Sequence, residues 1–405
     1  MKITRSILIP VEKDSEPGID AHHYGTSIMQ VNTAYTNKKG AALLQMYSEE
    51  VGSDAMGRCF RRNSENNGRS WSEPSIIFEP EKTKEGVIRN GESALFLDEE
   101  KGAVLHFYNY HLYPENHFTG DVGKYTRIFL KVSYNGGKTF SRPEQLIQKG
   151  FNEHNWAKAV TYGKNSIMIS FCSLLKTSKG RILLPIQRNP LECNYNDPFL
   201  IKYEAGCFIG KWVGEKIEWG MGNMAKVDAD LSSRGLCEPT LTELSDGSIM
   251  MICRASNSTI THKPGYKWYC ISEDGGWNWS EPSILKYSTG ENFFSPATGS
   301  RLIRNSKNNK LYWIGNILDK NPDGNRPRYP LQIAEVDEEK RAVIKETVTI
   351  IEDKQKEDSP FVQFSNFKVY EERETNEFVL IMARIQEISE KDLTSPAYQY
   401  RIKDA

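Results

Sequence analysis

Several common signals are missing from this sequence, and each absence excludes something. No sign of charge dominates: Lys plus Arg number 52 and Asp plus Glu 53, for a formal net charge of −1. A chain without a basic excess has no field that gathers nucleic acid, so nucleic acid is not expected as the main partner. Long apolar runs are absent. The longest is about six residues, Phe378 to Ala383, against the roughly 20 that a bilayer span needs, so no membrane partner is expected. The start, Met1-Lys2-Ile3-Thr4-Arg5, lacks the apolar stretch of a signal peptide. The chain as written therefore reads as cytoplasmic, or as secreted or periplasmic if a leader has been removed. Cysteines are few and odd in number: Cys59, Cys172, Cys193, Cys207, Cys237, Cys253 and Cys270. With no C-x-x-C pair and no zinc spacing, they read as buried free thiols in a reducing compartment. No metal and no cofactor is expected. No long 3.6-residue hydrophobic period occurs, which argues against long helices. The sequence leaves the oligomeric state open.

What the chain has in quantity is core material and repetition. Its 405 residues include 44 Phe, Trp and Tyr side chains, enough for a large core and too many for a disordered chain. Three segments repeat one another: Ser64-Glu65-Asn66-Asn67-Gly68-Arg69-Ser70-Trp71, Ser133-Tyr134-Asn135-Gly136-Gly137-Lys138-Thr139-Phe140 and Ser272-Glu273-Asp274-Gly275-Gly276-Trp277-Asn278-Trp279. Each is followed by Ser-x-Pro. They begin 69 and 139 residues apart, so the period is about 70 and the length holds about six units. Degenerate copies are expected near residues 202 and 341. Each motif makes sense as a turn in which Asp or Asn bonds the backbone two residues on, Gly supplies positive φ and the aromatic packs beneath.

Strand-like runs flank the motifs: Ser27–Val31, Ala41–Tyr47, Gly57–Asn63 and Ser75–Phe78 in the first unit, then Glu92–Leu97, Ala103–Asn109 and Thr126–Ser133. Six four-stranded units arranged radially make an all-β, six-bladed β-propeller. The whole of 1–405 is expected to form one domain. Arg5–Ile9 is expected to close the last blade beside strands near Asn366–Tyr370, Glu377–Arg384 and Ala397–Ile402.

The repeated turns look like Asp-boxes, and over roughly residues 20–390 the chain resembles the sialidase (Asp-box, BNR-repeat) superfamily. The resemblance implies that the boxes are rim turns between third and fourth strands, away from the central site. A second stretch, from Gly235 through Glu238-Pro239 and Asp246-Gly247 to Arg254, is similar to the family pattern of Glu-Pro, a hairpin turn and a strand ending in Arg. By that resemblance Glu238 sits at the propeller centre beside the reacting sugar carbon, and Arg254 contacts a substrate carboxylate. The residues alone also allow a structural ion pair near the axis as the alternative. The stretches Ser295–Asn316 and Arg326–Leu331 resemble fifth-blade strands and offer Arg328, then Arg301, as further anion clamps, since a guanidinium grips a carboxylate with two bonds.

Three departures from the family pattern bear on chemistry. Where its first arginine stands, this chain has Ala21-His22-His23-Tyr24. The nucleophilic Tyr has its best match at Phe364-Ser365-Asn366-Phe367, and Phe cannot attack. The acid/base position falls on Asp54, with Glu49 and Glu50 as competitors. Glycoside hydrolysis needs two carboxyl groups about the bond, and Glu238 with Asp54 or Glu92 could supply them. His23 or His22 could bind a hydroxyl or an anion, or move a proton, if it faces the pocket. His106 and His154 are weaker candidates. Trp156, Tyr108 and Tyr329 are candidate stacking platforms, with core packing as the alternative. The expected function is a sialidase-like exo-glycoside hydrolase on a carbohydrate, acidic sugars included. The alternatives are a non-catalytic carbohydrate-binding propeller, a polysaccharide lyase and, more weakly, a protein-interaction propeller.

Overall fold

The computed structural model describes residues 1–12, 23–116, 119–191, 201–403 and 405. Six antiparallel sheets follow one another along the chain as the blades of a β-propeller. Blade 1 runs outward through Ser27–Tyr35, Leu43–Gly52, Ala55–Ser64 and Ser75–Phe78. Blade 2 uses Gly86–Asp98, Ala103–Tyr113, Thr126–Ser133 and Glu144–Gln145, with Glu81–Thr83 added beside its first strand. In blade 3 the short pieces Ile167–Met168 and Leu175–Lys176 both pair Ile182–Arg188, followed by Glu204–Val213 and Lys216–Met221. Blade 4 is Cys237–Glu243, Ile249–Arg254, Trp268–Ser272 and Ser283–Ile284. Blade 5 is Arg301–Arg304, Leu311–Gly315 and Leu331–Asp337, whose outer edge takes both Ala342–Val343 and Thr349–Glu352. Blade 6 is Lys368–Glu371, Phe378–Ala383, Ala397–Lys403 and, outermost, Lys2–Ile9. The N-terminal strand pairs Ala397–Lys403 antiparallel, from Lys2 opposite Lys403 to Ile7 opposite Tyr398, and then shifts register to set Ile9 opposite Ala397.

The sequence pattern follows from blades packing face to face. The apolar run Phe378–Ala383 is a middle strand buried at every position. Phe378, Leu380 and Met382 pack toward blade 5, while Val379 and Ile381 pack toward blade 1. Similar clusters fill the other interfaces, for example Phe107 and Trp156 between blades 2 and 3, and Trp313 with Ile252 between blades 4 and 5. Each such side chain stabilises the fold by roughly 1.5–3 kcal/mol relative to exposure.

The three repeats are the turns between third and fourth strands of blades 1, 2 and 4. In each, the leading Ser accepts the Gly N–H four residues on, at 2.9 Å for Ser64 and Ser133 and 2.8 Å for Ser272. The Asn or Asp also reaches four residues on, to the N–H of Ser70, Thr139 and Asn278. That replaces the expected reach of two, because the turn is longer than a simple Asx turn. In blade 3 the equivalent turn is a tight one at Gly214-Glu215, later than expected, since the connection from Arg188 to Glu204 is long. In blade 5 it falls at 338–341, as the period predicts. The described cysteines are all free and buried; Cys193 lies outside the described residues. No described helix is long and apolar enough to cross a membrane.

Candidate active site

The axis of the propeller is shaped by a repeated backbone irregularity. Gln30, Glu92, Phe171, Glu238 and Asn366 all have positive φ, between 47° and 56°. They stand in or just before the innermost strands of blades 1, 2, 3, 4 and 6. In blades 1, 2 and 4 the pairing shifts register there, between Met29 and Asn32, Gly91 and Ala94, and Cys237 and Thr240. A bulge of this kind bends the strand and re-aims one side chain. For residues with a Cβ it costs on the order of 1–3 kcal/mol, a strain that concentrates at functional sites. All five residues line a central cavity of about 490 Å³. In blade 5 the ring of Phe171 crosses to Gly299, where a Cβ would sit 2.0 Å from Phe171 Cδ1. Gly299→Ala is therefore expected to destabilise the chain by about 1–3 kcal/mol through overpacking, read as a lower urea midpoint.

The walls of the cavity come from the connections between second and third strands, as with Asp54 in blade 1, Tyr203 in blade 3, Asn325 in blade 5 and Gln386 in blade 6. The Asp-box turns are at the opposite ends of the strands. Strand direction alone thus separates the rim motifs from the site.

Four carboxylates line this cavity: Glu50, Asp54, Glu92 and Glu238. Glu238 receives Arg254 Nη1 on Oε1, while its N–H donates to Gln187 Oε1 at 2.9 Å. Cys237 pairs Arg254 across the hairpin, which is what brings the two side chains together. Glu238 Oε2 is buried and has no hydrogen-bond partner among the described residues. Burial pushes the Glu238 carboxyl up, but the charges of Arg254 and Arg328 outweigh it and hold it below the usual range. Glu50 behaves oppositely. Burial, with Asp54 close by, raises its carboxyl well above the usual range. Glu92 is also raised by burial, against the pull of Lys368, and its Oε2 accepts the Phe171 N–H at 3.2 Å. Asp54 is exposed at the tip of its hairpin with φ 51°, and its carbonyl accepts the Tyr113 hydroxyl at 2.7 Å.

Cations face these groups. Arg254 Nη2 donates to Asn325 Oδ1 at 3.2 Å. Arg328 donates to Gln363 Oε1 at 2.6 Å and Ser365 Oγ at 3.2 Å, and burial beside Arg254 pulls it down to about 9. Arg234 and Arg326 also line the cavity, Arg234 with its guanidinium 5.7 Å from the Tyr203 ring centre. His23 lines it too; His22 lies outside the described residues. Burial pulls His111 down to about 3, and its Nδ1 is bonded to Thr126 Oγ1 at 2.8 Å.

A family model described as the BNR repeat-like domain matches residues 58–379. The chain belongs to this family. Solved structures agree on the fold. The Hadza microbial sialidase Hz136 matches with TM-score 0.60 at 13% identity, over 95% of this chain and 66% of that one. The sialidase of Trypanosoma rangeli matches with TM-score 0.62 at 11% identity, over 98% and 59%. The intramolecular trans-sialidase of Ruminococcus gnavus, in complex with oseltamivir carboxylate, matches with TM-score 0.63 at 12% identity, over 92% and 94%. This chain thus spans less than two thirds of the first two. No curated protein sequence matches it.

Of the residues singled out from sequence, Glu238, Asp54, His23, Arg254, Arg328 and Glu92 meet in the cavity, and Glu50 joins them. Four others do not. Arg301 is 1% exposed and lies behind the site, its guanidinium 3.7 Å from the centre of the Phe171 ring. Trp156 is fully buried in the interface of blades 2 and 3, stacked on Phe208. Tyr329 packs against the cluster between blades 5 and 6. Tyr108 stacks on Phe129 away from the axis. His106 is buried beside Ser93, and His154 is exposed on a loop. In blade 6 it is Asn366 that faces the cavity, while Phe364 lies in the core. Arg234 and Tyr203 were missed. Arg234 stands four residues before Glu238, a proximity that could have marked it; nothing local marks Tyr203.

Proposed function

We propose that the central cavity is the active site of an exo-acting glycoside hydrolase for a chain end that bears an acidic sugar. One observation supports this above others. A single cavity holds a carboxylate kept ionised with one oxygen unshared, Glu238, and carboxyl groups pushed toward the protonated form, Glu50 and Glu92. Environments that push carboxyl groups apart in this way are those of an acid and a base working together. Glu238 Oε2 takes the proton of a water molecule or attacks the anomeric carbon itself. The hairpin carrying Glu50 and Asp54 protonates the leaving oxygen. Arg254 and Arg328 bind the carboxylate of the sugar, with Arg234 and His23 at the mouth. A cavity walled by all six blades suits a chain end better than a chain interior.

The pH profile tests the division of roles. A base held below the usual range loses activity as pH falls through its lowered value. An acid raised above the usual range loses activity as pH rises through its raised value. kcat/KM is therefore expected to be bell-shaped, and Glu50→Gln to remove or shift the alkaline limb while leaving the acid limb. An alkaline limb unmoved by both Glu50→Gln and Asp54→Asn contradicts the assignment of the acid. The alternative of binding without catalysis has one observation in its favour: Asn366, not a tyrosine, faces the cavity from blade 6.

A further inference from the structure

The three Asp-box turns share one geometry, so differences among them are informative. The position after the glycine is Arg69 in blade 1 and Lys138 in blade 2, as suits an exposed turn. In blade 4 it is Trp277, which remains 40% exposed. The turn closes without it, because Ser272 and Asp274 make the bonds found in the other boxes. Trp277 is nonetheless held in place. Its carbonyl accepts the Asn223 N–H at 2.8 Å, and its ring lies against Gly220, where a Cβ would sit 2.4 Å from Trp277 Cη2. An outer strand that gives up a side chain to seat an exposed indole has made a platform.

That platform floors a groove of about 600 Å³ along the outer edge of blade 3. Lys149, Lys179, Arg181 and Lys211 line it against a single carboxylate, Glu218. Glu218 is engaged by Lys149 at 2.9 Å, and Arg181 donates to the Asp274 carbonyl at 2.6 Å. Lys179 and Lys211 are exposed, and their ammonium groups have no hydrogen bond or ion pair among the described residues, although Lys211 stands opposite Glu218 in the strand ladder. The Trp277 turn and the turn at Lys179–Arg181 are both at the ends of the blades opposite the central cavity.

We propose that this groove is a second carbohydrate-binding site, for an anionic oligosaccharide. The exposed indole stacks on the apolar face of a sugar ring, and the unpartnered lysines meet its carboxylates. Its position on the far edge means that it holds a polymer or a glycan-coated surface, not the chain end being cleaved. It therefore stands whether or not the central cavity is catalytic.

Calorimetric titration of the full chain with hexa-galacturonate tests it. The expected result is binding that Trp277→Ala weakens about tenfold or more, that Lys211→Glu also weakens, and that added salt reduces. Maltohexaose, of equal length without carboxylates, and hexa-aspartate, with charge but no sugar face, are each expected to bind at least about tenfold more weakly. A far-ultraviolet melt confirms that the Trp277→Ala chain is folded, as exposure of the side chain predicts. Absence of binding by hexa-galacturonate, unchanged affinity in Trp277→Ala, or equal binding by either control overturns the proposal.

Discussion

Glu238→Gln is expected to lower kcat on an acid-terminated glycoside by about 10²–10⁴-fold, the range for losing a positioned base or nucleophile. Substrate affinity should change far less, since Arg254 and Arg328 remain. The neutral amide also leaves Arg254 without its ion-pair partner. Breaking a buried ion pair from one side costs about 3–5 kcal/mol, so part of the effect will appear as lower stability. Separating the two is straightforward. Arg254→Met removes the other partner, with a similar stability cost, and should raise KM as well as lower kcat, because it removes the clamp. If both variants lost stability but kept full turnover, the pair would be a structural feature of the axis and nothing more.

Arg384→Met is expected to destabilise the chain by about 3–5 kcal/mol, the range for breaking a buried ion pair from one side. The Arg384 guanidinium is 2% exposed and meets three carboxylates: Glu352 at 3.1 Å, Asp358 at 2.8 Å and Glu387 at 3.2 Å. Glu352 is shared with Arg5 at 2.6 Å and with the Tyr400 hydroxyl at 2.9 Å. One side chain therefore ties the closing N-terminal strand, the edge of blade 5 and the two loops that bring Gln363, Ile385 and Gln386 to the cavity. Methionine fills the volume but leaves Asp358 buried beside no guanidinium and Glu352 with Arg5 alone. Urea unfolding should register the loss as a lower midpoint, and a midpoint within experimental error of the parent chain would show that the network is solvated and weak.

The fold was legible because its evidence is periodic. The repeats at Ser64, Ser133 and Ser272 count the blades, and the apolar run at Phe378 is short because each blade is thin and covered on both faces. Glu238 and Arg254 were legible because a hairpin of fixed length places them together. The rest of the site depends on facts that sequence does not display. Gln30, Phe171 and Asn366 reach the axis through left-handed backbone, a choice that residue type does not reveal when the residue is not glycine. Glu50 was legible only as a competitor of Asp54, since it lies in a strand, Leu43–Gly52, that is buried at every position. Trp156 and Arg301 illustrate the reverse error. An aromatic and a cation suited to sugar binding were taken up by the core, one in a blade interface and one behind Phe171. Arg234 and Tyr203 come from long connections whose course no local pattern sets.

The central claim is that water is added across a glycosidic bond in the cavity around Glu238. Proton NMR of the wild-type chain with an oligosaccharide ending in an acidic sugar tests it most directly. The account predicts release of the terminal acidic monosaccharide, with a new anomeric hydroxyl, in the parent chain and not in Glu238→Gln. An unsaturated sugar product, or release that persists at the parent rate in Glu238→Gln, would contradict it.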